Sequence, residues 1–88
     1  MYRYKATTKN NVVTTNTNLL PDGYSSLLLK NIGTDTVYIN DNIELTTGSS
    51  IAFDNLANVE IGENTSVMFA GVNVDQKLLV VKTYFKLI

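Results

Sequence analysis

A chain of 88 residues, 44% apolar and 17% charged, with a formal charge of −1 and neither histidine nor cysteine, describes one small domain with a single modest core. The missing residue types exclude disulfides, zinc–thiolate centres, thiol nucleophiles and imidazole acid–base chemistry. The near-neutral charge, free of any block of one sign, leaves no electrostatic footprint for nucleic acid or an acidic membrane surface.

The first segment, MYRYKA, alternates Tyr2, Tyr4 and Ala6 against Arg3 and Lys5, the period of two of a strand with one packed face. TTKNNVVTTNTN follows, polar around Val12 and Val13; it reads as an extended segment or weak edge strand, with residues 7–18 serving as an arm toward a neighbouring subunit or as a loop. Asn18, Pro21, Asp22 and Gly23 form a turn cluster, Pro presetting one dihedral and Gly free to take a positive one. YSSLLLKNI, residues 24–32, is a mostly apolar run of strand length between Gly23 and Gly33.

In TVYIN, Val37 and Ile39 point one way and Thr36, Tyr38 and Asn40 the other; Ile43 and Leu45 resume the apolar face after a turn in which Asp41-Asn42 substitutes for the Asn-Gly hairpin pair. Ile51 and Phe53 form the inner face of the next strand, and Val67 and Phe69 that of another beyond the turn at Gly62-Glu63-Asn64. Turn signals at Gly23, Gly33, Asp41, Gly48, Asp54, Gly62 and Gly71 predict short antiparallel strands without a regular helix. The eleven Asn and eleven Thr fit this reading, since Asn suits turns and Thr a half-buried pleated surface.

The closing QKLLVVKTYFKLI places Leu79, Val81, Thr83, Phe85 and Leu87 on one face; Leu78, Val80, Tyr84 and Ile88 share the other with Lys82 and Lys86. A strand apolar on both sides belongs at the centre of packed layers or against another subunit, because as a free edge it would invite aggregation. Self-association is therefore expected, with Val80, Tyr84, Phe85 and Ile88 as one contact patch and Tyr2 and Tyr4 as a second.

No catalytic constellation is legible. Asp35, Asp41, Glu44, Asp54, Glu60, Glu63 and Asp75 lie mostly in or beside turns, and the paired serines have no base beside them, so an enzyme is not expected. Oxygen-ligand sets such as Asp35, Asp41 and Asn42, or Asp54, Asn55 and Glu60, lack the spacing of a calcium loop, and no Gly-x-Gly supports a phosphate cradle. No metal or cofactor is expected. The five tyrosines suit protein interfaces, with sugar stacking as the alternative. No apolar run reaches the roughly 20 residues of a membrane span, and MYRYKATTKN is too polar for a signal peptide, so neither membrane insertion nor secretion is expected.

LLLKNIGTDTVYINDNIELTTGSSIAF resembles a pattern of small all-β virion structural proteins of tailed bacteriophages, including crAss-like phages: an apolar strand, N-x-G-x-x-x-V-x-I-N, a tight turn, an apolar pair, then G-x-S-I-x-F. Here it is carried by Asn31, Gly33, Val37, Ile39, Asn40, Leu45, Gly48, Ser50, Ile51 and Phe53, about a third of the chain, and LLVVKTYFKLI is similar to the terminal strand of such proteins. The resemblance implies a head decoration, neck or tail ring, or fibre-base subunit, assembled in a bacterial cytoplasm, resident in the virion and bound to copies of itself and to other virion proteins. The fold expected is a single antiparallel β-sandwich over residues 1–88, jelly-roll-like or immunoglobulin-like; a small carbohydrate-binding module is the alternative function.

Overall fold

The computed structural model describes residues 3–56, 59–72 and 75–88. Among them the regular elements are all strands: β1 (Tyr4–Val13), β2 (Thr17–Leu19), β3 (Ser26–Asn31), β4 (Val37–Ile39), β5 (Ile43–Leu45), β6 (Ser50–Asp54), β7 (Thr65–Phe69) and β8 (Leu78–Leu87).

Their pairing has one organising rule. Around the turn at residues 40–42, β4 pairs β5, β3 pairs β6, β2 pairs β7 and β1 pairs β8, all antiparallel, so the chain is one long hairpin folded on itself. Contacts of β3 with β8 and β4 with β7 roll this hairpin into two sheets, β1-β8-β3-β6 and β2-β7-β4-β5. That order is a jelly roll, the first of the two sandwich forms expected.

The core lies between the sheets. Leu27 and Leu29 of β3, Leu78 and Val80 of β8, Val37 and Ile39 of β4, Leu45 of β5, and Val67 and Phe69 of β7 are buried, with Leu19 and Tyr24. Each contributes about 1.5–3 kcal/mol relative to exposure. Ile51 and Phe53 of β6 pack against them from the expected inner face.

Three local expectations need correction. The loop reading of residues 7–18 fails up to Val13, where the weak-edge-strand alternative holds: residues 4–13 form one uninterrupted strand at the edge of the first sheet, and ladder bonding to β8 carries a polar sequence that has little apolar pattern of its own. The left-handed residues of the β4–β5 turn are Asn40 (φ 51°) and Asp41 (φ 70°), one position earlier than Asp41-Asn42. The Asn40 side chain explains the shift, since its Oδ1 accepts the Ser66 N–H at 3.1 Å and pins the turn to β7. Val80, expected at a contact surface, is wholly enclosed, because it shares the β8 face of Leu78 that the second sheet covers.

The molecule is long for its size, with extents of 50 × 19 × 17 Å and a radius of gyration of 13.9 Å against about 12 Å for a compact chain of this length. Ladder lengths explain the excess. Pairing of β8 with β3 ends at Thr83, whereas pairing with β1 runs on to Leu87. Residues 4–7 and 84–87 therefore form a two-stranded ribbon beyond the third strand.

Candidate functional site

Register places every side chain of the first sheet on one of its two faces, because directly opposed residues share a face. On the face turned away from the second sheet, Val12, Leu79, Lys30 and Ser50 form one row, and Asn10, Val81, Leu28 and Ala52 the next. Thr8, Thr83, Ser26 and Asp54 follow, then Ala6 with Phe85 and Tyr4 with Leu87 on the ribbon. Val12 is 47% exposed, Leu28 38%, Tyr4 38% and Leu87 51%; Leu79, Val81 and Phe85 are half-buried. An apolar band thus follows β8 along this open face from the sandwich to the ribbon tip, crossed once by the polar row of Thr8, Thr83, Ser26 and Asp54. Clustered apolar surface on either side of that row marks an interaction site more readily than scattered exposed residues do.

The expected contact residues divide between the two faces. Tyr4 and Phe85 lie on the apolar band, in its last two rows on the ribbon. Ile88 is 78% exposed and is tied to the ribbon by its N–H to the Arg3 carbonyl at 2.9 Å. Tyr2 falls outside the described residues. Tyr84 sits on the opposite face and is engaged within the molecule: its ring meets Tyr24 edge-on at 6.2 Å and 83°, its hydroxyl donates to Asp22 Oδ2 at 3.3 Å, and the Lys9 ammonium stands 5.0 Å above it. Lys82 stands similarly 5.1 Å over Tyr24. These contacts seal the end of the core rather than present a binding face.

Burial, and secondly the negative charge of Asp22, raise the pKa of Tyr24 and Tyr84 above 10.0. A folded-state pKa above the unfolded value means that the native protein holds its protons where the unfolded chain has lost them, so the associated stability is complete below the unfolded pKa and is lost as pH rises through the folded one. Melting temperature is expected to be insensitive to these groups at neutral pH and to fall above pH about 10. Tyr84→Phe should blunt that alkaline fall, as thermal melts across the range would read out; an unchanged alkaline slope would contradict it.

The carboxylate best held by the fold is structural. Asp35, 2% exposed, accepts the N–H groups of Gly71 (2.9 Å) and Val72 (3.2 Å) and the Gln76 amide (3.2 Å). Beside it, buried Asn31 donates to the carbonyls of Asp35 (2.7 Å) and Leu45 (2.9 Å) and accepts the Gly33 N–H at 3.0 Å. Neither side chain faces an open site. Among the described residues no group of three or more His, Cys, Asp or Glu is placed to hold a metal.

A cleft of about 550 Å³ opens between the end of β6 and the segment entering β7, where Asn40, Asp54, Asn55, Glu63 and Asn64 stand with Phe53 and Ile61. It offers amides and carboxylates without a tyrosine. The described tyrosines do not form a stacking platform: Tyr24 is buried, Tyr84 is bound to it, Tyr38 lies on the second sheet and Tyr4 on the ribbon.

Of the residues on this band, the sequence points to only Phe85 and Tyr4 as contacts and misses Leu79, Val81, Leu87, Leu28, Ala52 and Val12. The signal for Leu28 lay in its run of three leucines, whose middle member must face away from the core if its neighbours face in; joining it to Val81 and Val12 required the registers. Comparison with known protein families, with characterised proteins and with solved structures finds no match to this chain.

Proposed function

We propose that this chain is a non-enzymatic structural component of a bacteriophage virion, a capsid decoration, neck or tail ring, or fibre-base subunit, that works by self-association and by binding other virion proteins. The observation that carries the reading is the apolar band of the first sheet, from Val12 and Leu79 through Leu28 and Val81 and, past the polar row at Thr83, from Phe85 to Leu87. Burial of such a surface against a neighbour supplies association free energy without a reactive group. The jelly roll is compatible by analogy, since this architecture recurs in viral capsid and lectin domains alike, and the phage assignment itself rests on the resemblance of residues 27–53.

Light scattering and native mass measurement at micromolar concentration test the proposal. A discrete oligomer, or binding to purified phage particles lacking the subunit, is the expected result. A monomer that binds glycans through the polar cleft at Asp54, Asn55 and Glu63 would favour the carbohydrate-binding alternative. Turnover of a substrate that is abolished by changing one carboxylate would overturn both.

A further inference from the structure

We propose that two copies of this chain join through their β1 edges, antiparallel about a twofold axis at Thr8, so that the two four-stranded sheets become one of eight strands. The proposal deepens the self-association reading and rests on it. β1 is the outer strand of its sheet and at ten residues is longer than the other three edge strands, β6, β2 and β5. Such an edge is a ready template for another chain.

The phase of its backbone groups is determined. In an antiparallel pair, opposed residues alternate between exchanging both hydrogen bonds and exchanging none. Arg3 lies opposite Ile88 by continuation of the β1–β8 register, and its carbonyl accepts the Ile88 N–H. Odd-numbered residues of β1 therefore direct their backbone groups toward β8, and Tyr4, Ala6, Thr8, Asn10 and Val12 direct theirs to the open edge.

A symmetric partner must hydrogen-bond through those even positions, which restricts the axis to a residue and excludes every register that pairs even with odd. Charge selects among the rest. An axis at Thr7 sets Lys5 against Lys9 of the other copy, and an axis at Lys9 sets Lys9 against itself. Both clashes fall at non-hydrogen-bonded pairs, where opposed side chains are closest and like charges repel. An axis at Ala6 brings Arg3 against Lys9, and one at Asn10 leaves only residues 7–13 paired.

With Thr8 on the axis, residues 4–12 pair: Thr8 with Thr8, Ala6 with Asn10 and Tyr4 with Val12 through about ten backbone hydrogen bonds, five pairs contributing two each. Lys5 then stands opposite Asn11 and Lys9 opposite Thr7. The Lys9 ammonium is already folded back over its own Tyr84, away from the seam.

Two further features fit this register. It aligns the row of Tyr4 and Leu87 in one copy with the row of Val12 and Leu79 in the other, so the apolar bands continue across the join. It also lays residues 4–7 of each ribbon beside residues 9–12 of the other β1. The ribbon, two strands that are marginal alone in water, thereby gains the third strand it lacks.

The chain contains no cysteine, so introduced thiols report the geometry directly. Under mild oxidant Thr8→Cys should form a covalent dimer, because hydrogen-bonded opposed residues stand about 5.5 Å apart between Cα atoms, within disulfide reach. Ala6→Cys and Asn10→Cys should each stay uncrosslinked alone, their copies lying about 13 Å apart along the strand. Mixed together, these two variants should yield at least about tenfold more covalent heterodimer than either homodimer. Discrete oligomers in which Thr8→Cys stays uncrosslinked, or in which Ala6→Cys links to itself, would overturn the seam and leave self-association standing. A wild-type chain that stays monomeric would remove both.

Discussion

Replacing Asn31 with alanine is expected to lower the free energy of unfolding by about 3–5 kcal/mol, a large share of the roughly 4–13 kcal/mol available to a domain of this length. The Asn31 side chain is fully buried and satisfies three backbone groups, donating to the Asp35 and Leu45 carbonyls and accepting from Gly33. Truncation strands all three where water has little access, and a buried group left unpaired costs more than its bond contributed. Asn31→Asp should fare no better, because it keeps an acceptor for Gly33 and turns a second acceptor toward two carbonyl oxygens. Gly33→Ala attacks the same corner from the other side: an added Cβ would press on the Asp75 carbonyl and come within 2.7 Å of the Lys77 amide nitrogen. The two lesions share a structure, so the double variant should lose less than the sum. Urea unfolding of these variants measures this. A loss under about 1 kcal/mol for Asn31→Ala would mean that water or a shifted loop replaces its bonds.

That corner shows what the N-x-G-x-x-x-V-x-I-N pattern is made of. Each of its first five residues serves the fold from within. Asn31 makes a three-bond tie, and Gly33 stands where a side chain cannot fit. Val37 and Ile39 fill core positions, and Asn40 is a left-handed residue bonded to Ser66. The motif is therefore the grammar of one jelly-roll corner. It carries information about fold and little about what the surface binds, which is why contact residues have to be argued from exposure and register instead.

Strand positions in the chain's middle were legible because apolar residues alternate there against Gly- and Asn-marked turns, as in Val37, Ile39, Ile43 and Leu45. β1 beyond Ala6 reads only as an extended segment or weak edge strand, because Thr7 through Asn11 have no apolar partner face to advertise: all are exposed, and the strand is held by backbone pairing to β8. The same limit applied to β8. Its two apolar faces were visible, but the choice of inner face depends on which side the second sheet covers, a long-range fact. Leu78 and Val80 took the core, so Val80 left the contact surface and the Leu79, Val81 and Phe85 face became the open one. Asp35 looked like an ordinary turn residue because its partners at Gly71, Val72 and Gln76 lie more than 30 positions away.

Two neighbouring leucines separate folding from assembly. Leu29 is fully buried between the sheets, opposed by Val80 on one side and Ile51 on the other; Leu29→Ala should cost about 3–4 kcal/mol through lost transfer energy and the cavity left in a small core. Leu28, one residue earlier and on the other face, is 38% exposed between Val81 and Ala52. Leu28→Thr keeps strand propensity and leaves no enclosed cavity, so stability should change by no more than about 1 kcal/mol. If the apolar band carries assembly beyond the β1-joined dimer, the same change removes a methyl-rich group from it and should weaken that association by about tenfold or more. Equilibrium unfolding and concentration-dependent light scattering on the two variants then give opposite patterns: Leu29→Ala unfolds early yet associates through an unaltered outer surface while folded, and Leu28→Thr melts normally yet falls back to the dimer joined at the β1 edge, two strands from Leu28. Association of Leu28→Thr beyond the β1-joined dimer at the wild-type concentration would place the further assembly surface elsewhere, because no stability change would be present to mask the removal of an apolar anchor from the band.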